Sequence, residues 1–210
     1  MKTDMIRNIM DIEWKMFQNV NGDERVGCQN DRETFEIMRG GQFSAWSEEV
    51  LASYLRDLEV ARRDGRNLMR EKYIHMMAST DPDGYAVLKS SLPEISGEKR
   101  ELTDNIWAHL RLQTEEMREK YPFISLGGRP LYSNQEEGWP SVETYQKGEL
   151  LTYSEETLRL LLQHLLQLEK RGIHLAFLIQ ERSVMGLGYA SMDDAEKAMA
   201  KALERCGCIS

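Results

Sequence analysis

Residues 28–46 read CQNDRETFEIMRGGQFSAW, and the fold class follows from how this stretch is read. Asp31 is placed to cap a helix that starts at Arg32, its carboxylate accepting from the amide of Glu33 or Thr34. Phe35, Met38, Gln42 and Trp46 then recur at helical spacing, with Arg39 beside Met38. The inward stripe therefore carries two aromatics and a methionine, but also a carboxamide and a guanidinium. Burying even a neutral polar group without partners costs roughly 1–3 kcal/mol. A side chain, a water or a ligand must therefore meet Arg39 and Gln42.

The neighbouring segments repeat the irregularity. Thr3 to Asn21 reads as a helix with Ile9, Glu13, Phe17 and Val20 in one stripe. Ser47 to Asp64 carries Val50, Tyr54, Asp57, Leu58 and Ala61, and Arg66 to Thr80 carries Leu68, Met69, Lys72, Tyr73 and Met76. Four consecutive helices thus each aim one ionisable group inward: Glu13, Arg39, Asp57 and Lys72. Two acids and two bases can neutralise one another. Three readings stay open: long side chains at stripe edges that reach water, a buried ion-pair network that locks register, or a ligand or catalytic site.

Periodicity continues to the C-terminus and predicts an all-α, compact bundle of about nine or ten helices in one domain over residues 1–210. Tyr85 to Ser91 is a short helix, and Ser96 to Lys120 a long one with Leu102, Ile106, Leu110, Gln113 and Met117 inward. Phe123 to Ser141 is the longest irregular stretch, and a loop of that length is often functional. Val142 to Leu151 is a short helix. Glu155 to Arg171 has leucines at 158, 161, 162, 165 and 168, an apolar face wide enough for a central helix or a subunit interface, so a homodimer is one expectation. Ile173 to Met185 reads as helix or strand, with helix favoured by its surroundings, and Asp193 to Arg205 closes the set. Gly40-Gly41 predicts either a break in its helix or a close approach by another backbone or a ligand.

Composition narrows the function. The 210 residues carry a net charge of −8, and the pI is about 5.2. An acidic chain without a basic run argues against nucleic acid or an anionic membrane as the main partner. No apolar run approaches ~20 residues, and the N-terminus lacks the apolar core of a signal peptide. Three cysteines without framework spacing (Cys28, Cys206 and Cys208) fit a reducing cytoplasm. The four histidines have no metal-ligating spacing and no Glu-x-x-His pair occurs, so no metal and no cofactor are expected. Gly186-Leu-Gly188 lacks the third glycine of a dinucleotide fingerprint.

The residues that remain sort into roles for a cofactor-independent lyase, isomerase or hydrolase, or for a binder, acting on a small anionic metabolite. Arg39 would hold the anion. Glu13 or Asp57 would be the general base, Tyr54 or Tyr73 a proton donor, and Lys72 an electrostatic stabiliser or Schiff-base nucleophile. Gln42, Trp46 and Asn67 would line and orient the substrate. Gly127-Gly128-Arg129 offers amides and a guanidinium to an anion. Cys28, just before a helix N-terminus, is a candidate nucleophile, since that position lowers a thiol pKa. The competing expectation is a non-catalytic helical module that binds a protein or small effector, its inward charges being a structural network.

The segments EWKMFQNVN, CQNDRETFEIMRGGQFSAW, GRNLMREKYIHMM, LPEIS and ETYQKGELLTYS resemble the bacterial family catalogued as domain of unknown function 4125. The resemblance runs from Glu13 to about Glu196 and implies one intact cytoplasmic domain. It implies no activity. Gly186-Leu-Gly188-Tyr189 departs from the Tyr-Gly-Tyr associated with that place in the family.

Overall fold

The computed structural model describes residues 1–20, 31–126, 128–133 and 140–205. Among them are eleven α-helices and no strand, an all-α bundle. In chain order they are α1 (Lys2–Gln18), α2 (Arg32–Ala45), α3 (Glu48–Arg63), α4 (Leu68–Thr80), α5 (Pro82–Leu88), α6 (Gly97–Lys120), α7 (Pro122–Leu126), α8 (Val142–Leu150), α9 (Glu155–Lys170), α10 (Leu175–Gly186) and α11 (Met192–Arg205). No helix among the described residues is long and apolar enough to cross a membrane.

Polar caps set the helix starts. Asp31, Ser47, Asn67, Ser96, Ser141 and Ser154 each accept from the backbone amide three residues on, which satisfies a donor the helix itself leaves free. Gly65 and Gly172 follow α3 and α9 with φ of 71° and 70°, the left-handed stops that glycine adopts without strain. The ambiguous stretch after Ile173 is helical. α5 begins at Pro82, three residues before the expected Tyr85. The missing N–H of a proline costs nothing in a first turn, and Asp81 caps Gly84. The stretch from Phe123 to Ser141 is not irregular throughout: α7 opens it. The carbonyls of Pro130 and Leu131 then accept from the amides of Val142 and Glu143 at 2.8 and 3.1 Å, pinning the described part to the start of α8. Cys28, Gly127, Cys206 and Cys208 lie outside the described residues.

Two close approaches bring the inward charges together. α2 continues unbroken through Gly40-Gly41 because α10 lies against it. A Cβ on Gly41 would stand 2.5 Å from Ser183 Oγ and 3.3 Å from the Ile179 carbonyl oxygen. On α8, a Cβ on Gly148 would stand 2.9 Å from Met76 Cγ and 3.1 Å from the Lys72 carbonyl oxygen, so α8 sits tightly on α4. With α10 on one side, the buried face of α2 is turned from the expected stripe. Met38 is 48% exposed, while Phe43 is fully buried against Trp46 and Tyr54. Arg39 consequently stands inside the protein rather than at a stripe edge.

The main core joins α1, α2, α3, α6 and α9 through residues such as Ile9, Leu51, Leu58, Ile106, Leu158 and Leu165. α9 packs on α3 and α6 and buries Leu158, Leu161, Leu165 and Leu168, which makes it a central helix. A smaller cluster of Tyr121, Val184, Met192 and Ala195 ties α10 and α11 to the end of α6. Glu196 of α11 accepts from the amides of Phe123 and Ile124 at 2.9 and 2.8 Å, which fixes α7.

Candidate functional site: a closed ion cluster beside a cavity

Five helices contribute to one buried polar cluster. Arg39 of α2 donates from Nε to Glu13 Oε2 at 2.8 Å and from Nη2 to Glu13 Oε1 at 2.5 Å, a bidentate pair with α1. Its Nη1 donates to Gln42 Oε1 at 2.8 Å and to Glu149 Oε1 of α8 at 2.9 Å. Lys72 of α4 donates to Glu149 Oε2 at 2.5 Å, and its ammonium lies 3.3 Å from the centroid of the Tyr145 ring, a cation–π contact. Tyr54 of α3 donates to Glu13 Oε1, and Tyr153 to Glu149 Oε1, both at 2.6 Å. Gln42 Nε2 completes the set at 2.9 Å from Glu149 Oε1. Two carboxylates therefore face two cations.

The charged residues of the cluster are almost wholly shielded, Glu13 at 0% and Lys72 at 1% exposure, while Gln42 and Tyr145 are half-buried. Burial by itself would raise the Glu149 carboxyl. The Arg39 and Lys72 cations overrule it and hold Glu149 well below the usual carboxylate range. Burial would likewise weaken the Arg39 guanidinium, but Glu13 and Glu149 raise it instead. Burial, and then the carboxylate each one touches, push the Tyr54 and Tyr153 hydroxyls well up. Both tyrosines thus stay protonated donors. Glu149 takes four hydrogen bonds, and its lowered proton affinity makes it a poor general base for any neutral-pH reaction.

Next to the cluster lies a cavity of about 400 Å³, within the size range of small-molecule sites. α2, α6, α8 and α10 wall it, with α7 and residues 128–129 at one side. Trp46, Trp107, Leu110, Leu161 and Leu175 make an apolar interior. Arg39, Gln42, Glu149 and Tyr153 form a polar floor, and Arg118, Arg129 and Gln180 also face the space. Among the described lining residues Glu149 is the one carboxylate.

The sequence-derived candidates divide three ways. Glu13, Arg39, Gln42, Tyr54 and Lys72 meet in the cluster, though Glu13, Tyr54 and Lys72 lie behind the cavity wall and not on it. Trp46 and Arg129 line the cavity. Asp57 is elsewhere: its Oδ2 accepts from the Ser154 amide at 3.0 Å and Thr157 Oγ1 at 2.7 Å, at the N-terminus of α9, where the helix dipole favours a carboxylate. Asn67 caps α4 and donates to the Met16 carbonyl at 2.7 Å. Tyr73 is half-buried against the core. No group of three His, Cys, Asp or Glu among the described residues stands close enough to hold a metal ion.

Glu149, Tyr153 and Tyr145 were missed. Tyr145 and Glu149 sit four apart on one helix face, and Tyr153 follows after one more turn, so helical spacing held the signal. The short ETYQKGELL segment offered too few apolar positions to fix which face is inward.

A sequence profile of the family described as "Protein of unknown function (DUF4125)" matches residues 3–197, so the chain belongs to that family. No curated protein and no solved structure matches it.

Proposed function

We propose that the chain is a binding protein for a small anionic metabolite, held in the cavity between α2, α6, α8 and α10. The carrying observation is the division of labour around Arg39. The charges beneath the cavity floor are neutralised by one another, and the partly open space above them is mostly apolar, with Arg118 and Arg129 also on its lining. Catalysis by Glu13 or Lys72 is less well supported, because neither lines the space a substrate would fill. The buried ions then act as a structural network that fixes the floor. A small-molecule binder that works in the bacterial cytoplasm is consistent with the acidic charge, the unframed cysteines and the family.

A cavity-filling substitution tests this reading. Ala176 lines the cavity, and Ala176→Leu should leave thermal stability of the empty protein unchanged or raised while abolishing the Tm shift that any hit from an anionic-metabolite panel produces. A hit whose shift survives Ala176→Leu binds elsewhere and refutes the cavity as the site.

A further inference from the structure

The rim carries two guanidiniums that no acid among the described residues pairs with. Arg118, in the last turn of α6, is half-buried, and its side chain donates to the Arg129 carbonyl oxygen. Desolvation lowers its pKa, the mark of a cation taken from water without an acid beside it. Arg129 donates to the Pro140 carbonyl oxygen at 3.2 Å, and its guanidinium carbon lies 5.2 Å from the centroid of the Tyr145 ring. Both side chains are thus held in place by carbonyls and a ring, and no acid among the described residues cancels their charge. Glu149 does not answer them, because Arg39, Gln42, Lys72 and Tyr153 already occupy its oxygens. Away from this rim and from the polar floor of Arg39, Gln42, Glu149 and Tyr153, the apolar lining includes Trp46, Trp107, Leu110, Leu161 and Leu175.

Building on the binding reading above, we propose that the ligand is a single-headed amphiphilic carboxylate: Arg118 and Arg129 take the carboxylate, and the tryptophan–leucine interior takes an acyl or aryl body. At interior packing, a space of about 400 Å³ accommodates on the order of 12–18 non-hydrogen atoms. That is the size of a medium-chain fatty acid. The guanidinium fork matches a carboxylate in two parallel hydrogen bonds, and the apolar body supplies affinity that a bare anion lacks.

Decanoate and the neutral 1-decanol separate head from tail. Trp46 and Trp107 on the wall give a fluorescence readout, with calorimetric titration for affinity. Decanoate is expected to change tryptophan emission and to bind at least tenfold tighter than decanol. Arg118→Gln/Arg129→Gln should weaken decanoate tenfold or more and leave decanol within threefold. Arg118→Gln alone, expected to lose about three- to fivefold, is the fallback if the double variant does not fold. Equal binding of decanoate and decanol, unmoved by the rim substitutions, overturns the carboxylate assignment and leaves the cavity reading standing. No emission change and no binding with either probe, while other panel anions bind and Ala176→Leu blocks them, overturns the amphiphile and keeps the cavity. Silence from every anion defeats both.

Discussion

Arg39 and the pair Arg118–Arg129 border the same cavity and are handled in opposite ways. Arg39 is met by two carboxylates and a carboxamide from three helices. Arg118 and Arg129 are met by backbone carbonyls and a tyrosine ring. A guanidinium closed off by protein acids has little left to offer a ligand, and it fixes the relative placement of α1, α2 and α8. A guanidinium positioned without an acid keeps its field and can select an anion. On the binding reading proposed above, the first serves architecture and the second recognition.

The largest expected effect falls on the closed side. Glu149→Gln leaves Arg39 and Lys72 short of a counter-charge in the interior, and should cost about 3–5 kcal/mol of unfolding free energy in urea titration. Glu149→Gln/Lys72→Met removes one charge of each sign and should recover a substantial part of that loss. If the single and double variants are equally unstable, charge balance is not what the cluster supplies.

The pH dependence has a definite sign. The folded Glu149 carboxyl is depressed, so its stabilisation is complete above the unfolded carboxylate value of about 4.3 and declines as pH falls below it. Urea midpoints measured from pH 6 to pH 3 should drop more steeply for the native chain than for Glu149→Gln. Parallel slopes would show that Glu149 is not held ionised. His75 works in a higher window. Burial, aided by Lys99, pushes it down to about 4. The unfolded chain therefore takes up a proton first, and stability is lost as pH falls from about 6.5 towards 4. His75→Gln should flatten the native curve in that window and not below it.

Smaller effects belong to the scaffold that presents both arginine sets. Gly41→Ala forces α2 from α10, since the new Cβ meets Ser183 Oγ and the Ile179 carbonyl. About 1–3 kcal/mol should be lost by thermal or urea unfolding. Asp57→Ala removes a carboxylate from the start of α9 and should cost roughly 1–2 kcal/mol, with ligand affinity unchanged. An affinity loss in Asp57→Ala would restore Asp57 to the site and blur the contrast.

The helical architecture was legible because caps and glycine stops are local: Asp31, Ser47, Asn67, Gly65 and Gly172 act within a few residues of their own position. The inward aim of Glu13, Arg39 and Lys72 was legible for the same reason, as each interrupts an apolar period. Asp57 shared that pattern and still went elsewhere. A period reports only which side of a helix faces inward, not what faces it. Its neighbour proved to be the N-terminus of α9, about a hundred positions along the chain. Met38, expected inward, is exposed and Phe43 is buried because α10 chose the face of α2 through Gly41, a tertiary choice. Arg118 was invisible as a site residue: one basic residue in the last turn of a long helix is ordinary there, and only the cavity gives it meaning.

The sharpest measurement is a double dissociation of stability from affinity, made on Lys72→Met and Arg118→Gln/Arg129→Gln by urea unfolding and decanoate titration of the same preparations. Lys72→Met should be destabilised by several kcal/mol yet, under folding conditions, bind decanoate within about threefold of the native chain. Arg118→Gln/Arg129→Gln should keep native stability and lose decanoate tenfold or more. A folded Lys72→Met that no longer binds, beside a rim variant that still does, would contradict the account by placing recognition in the buried ions.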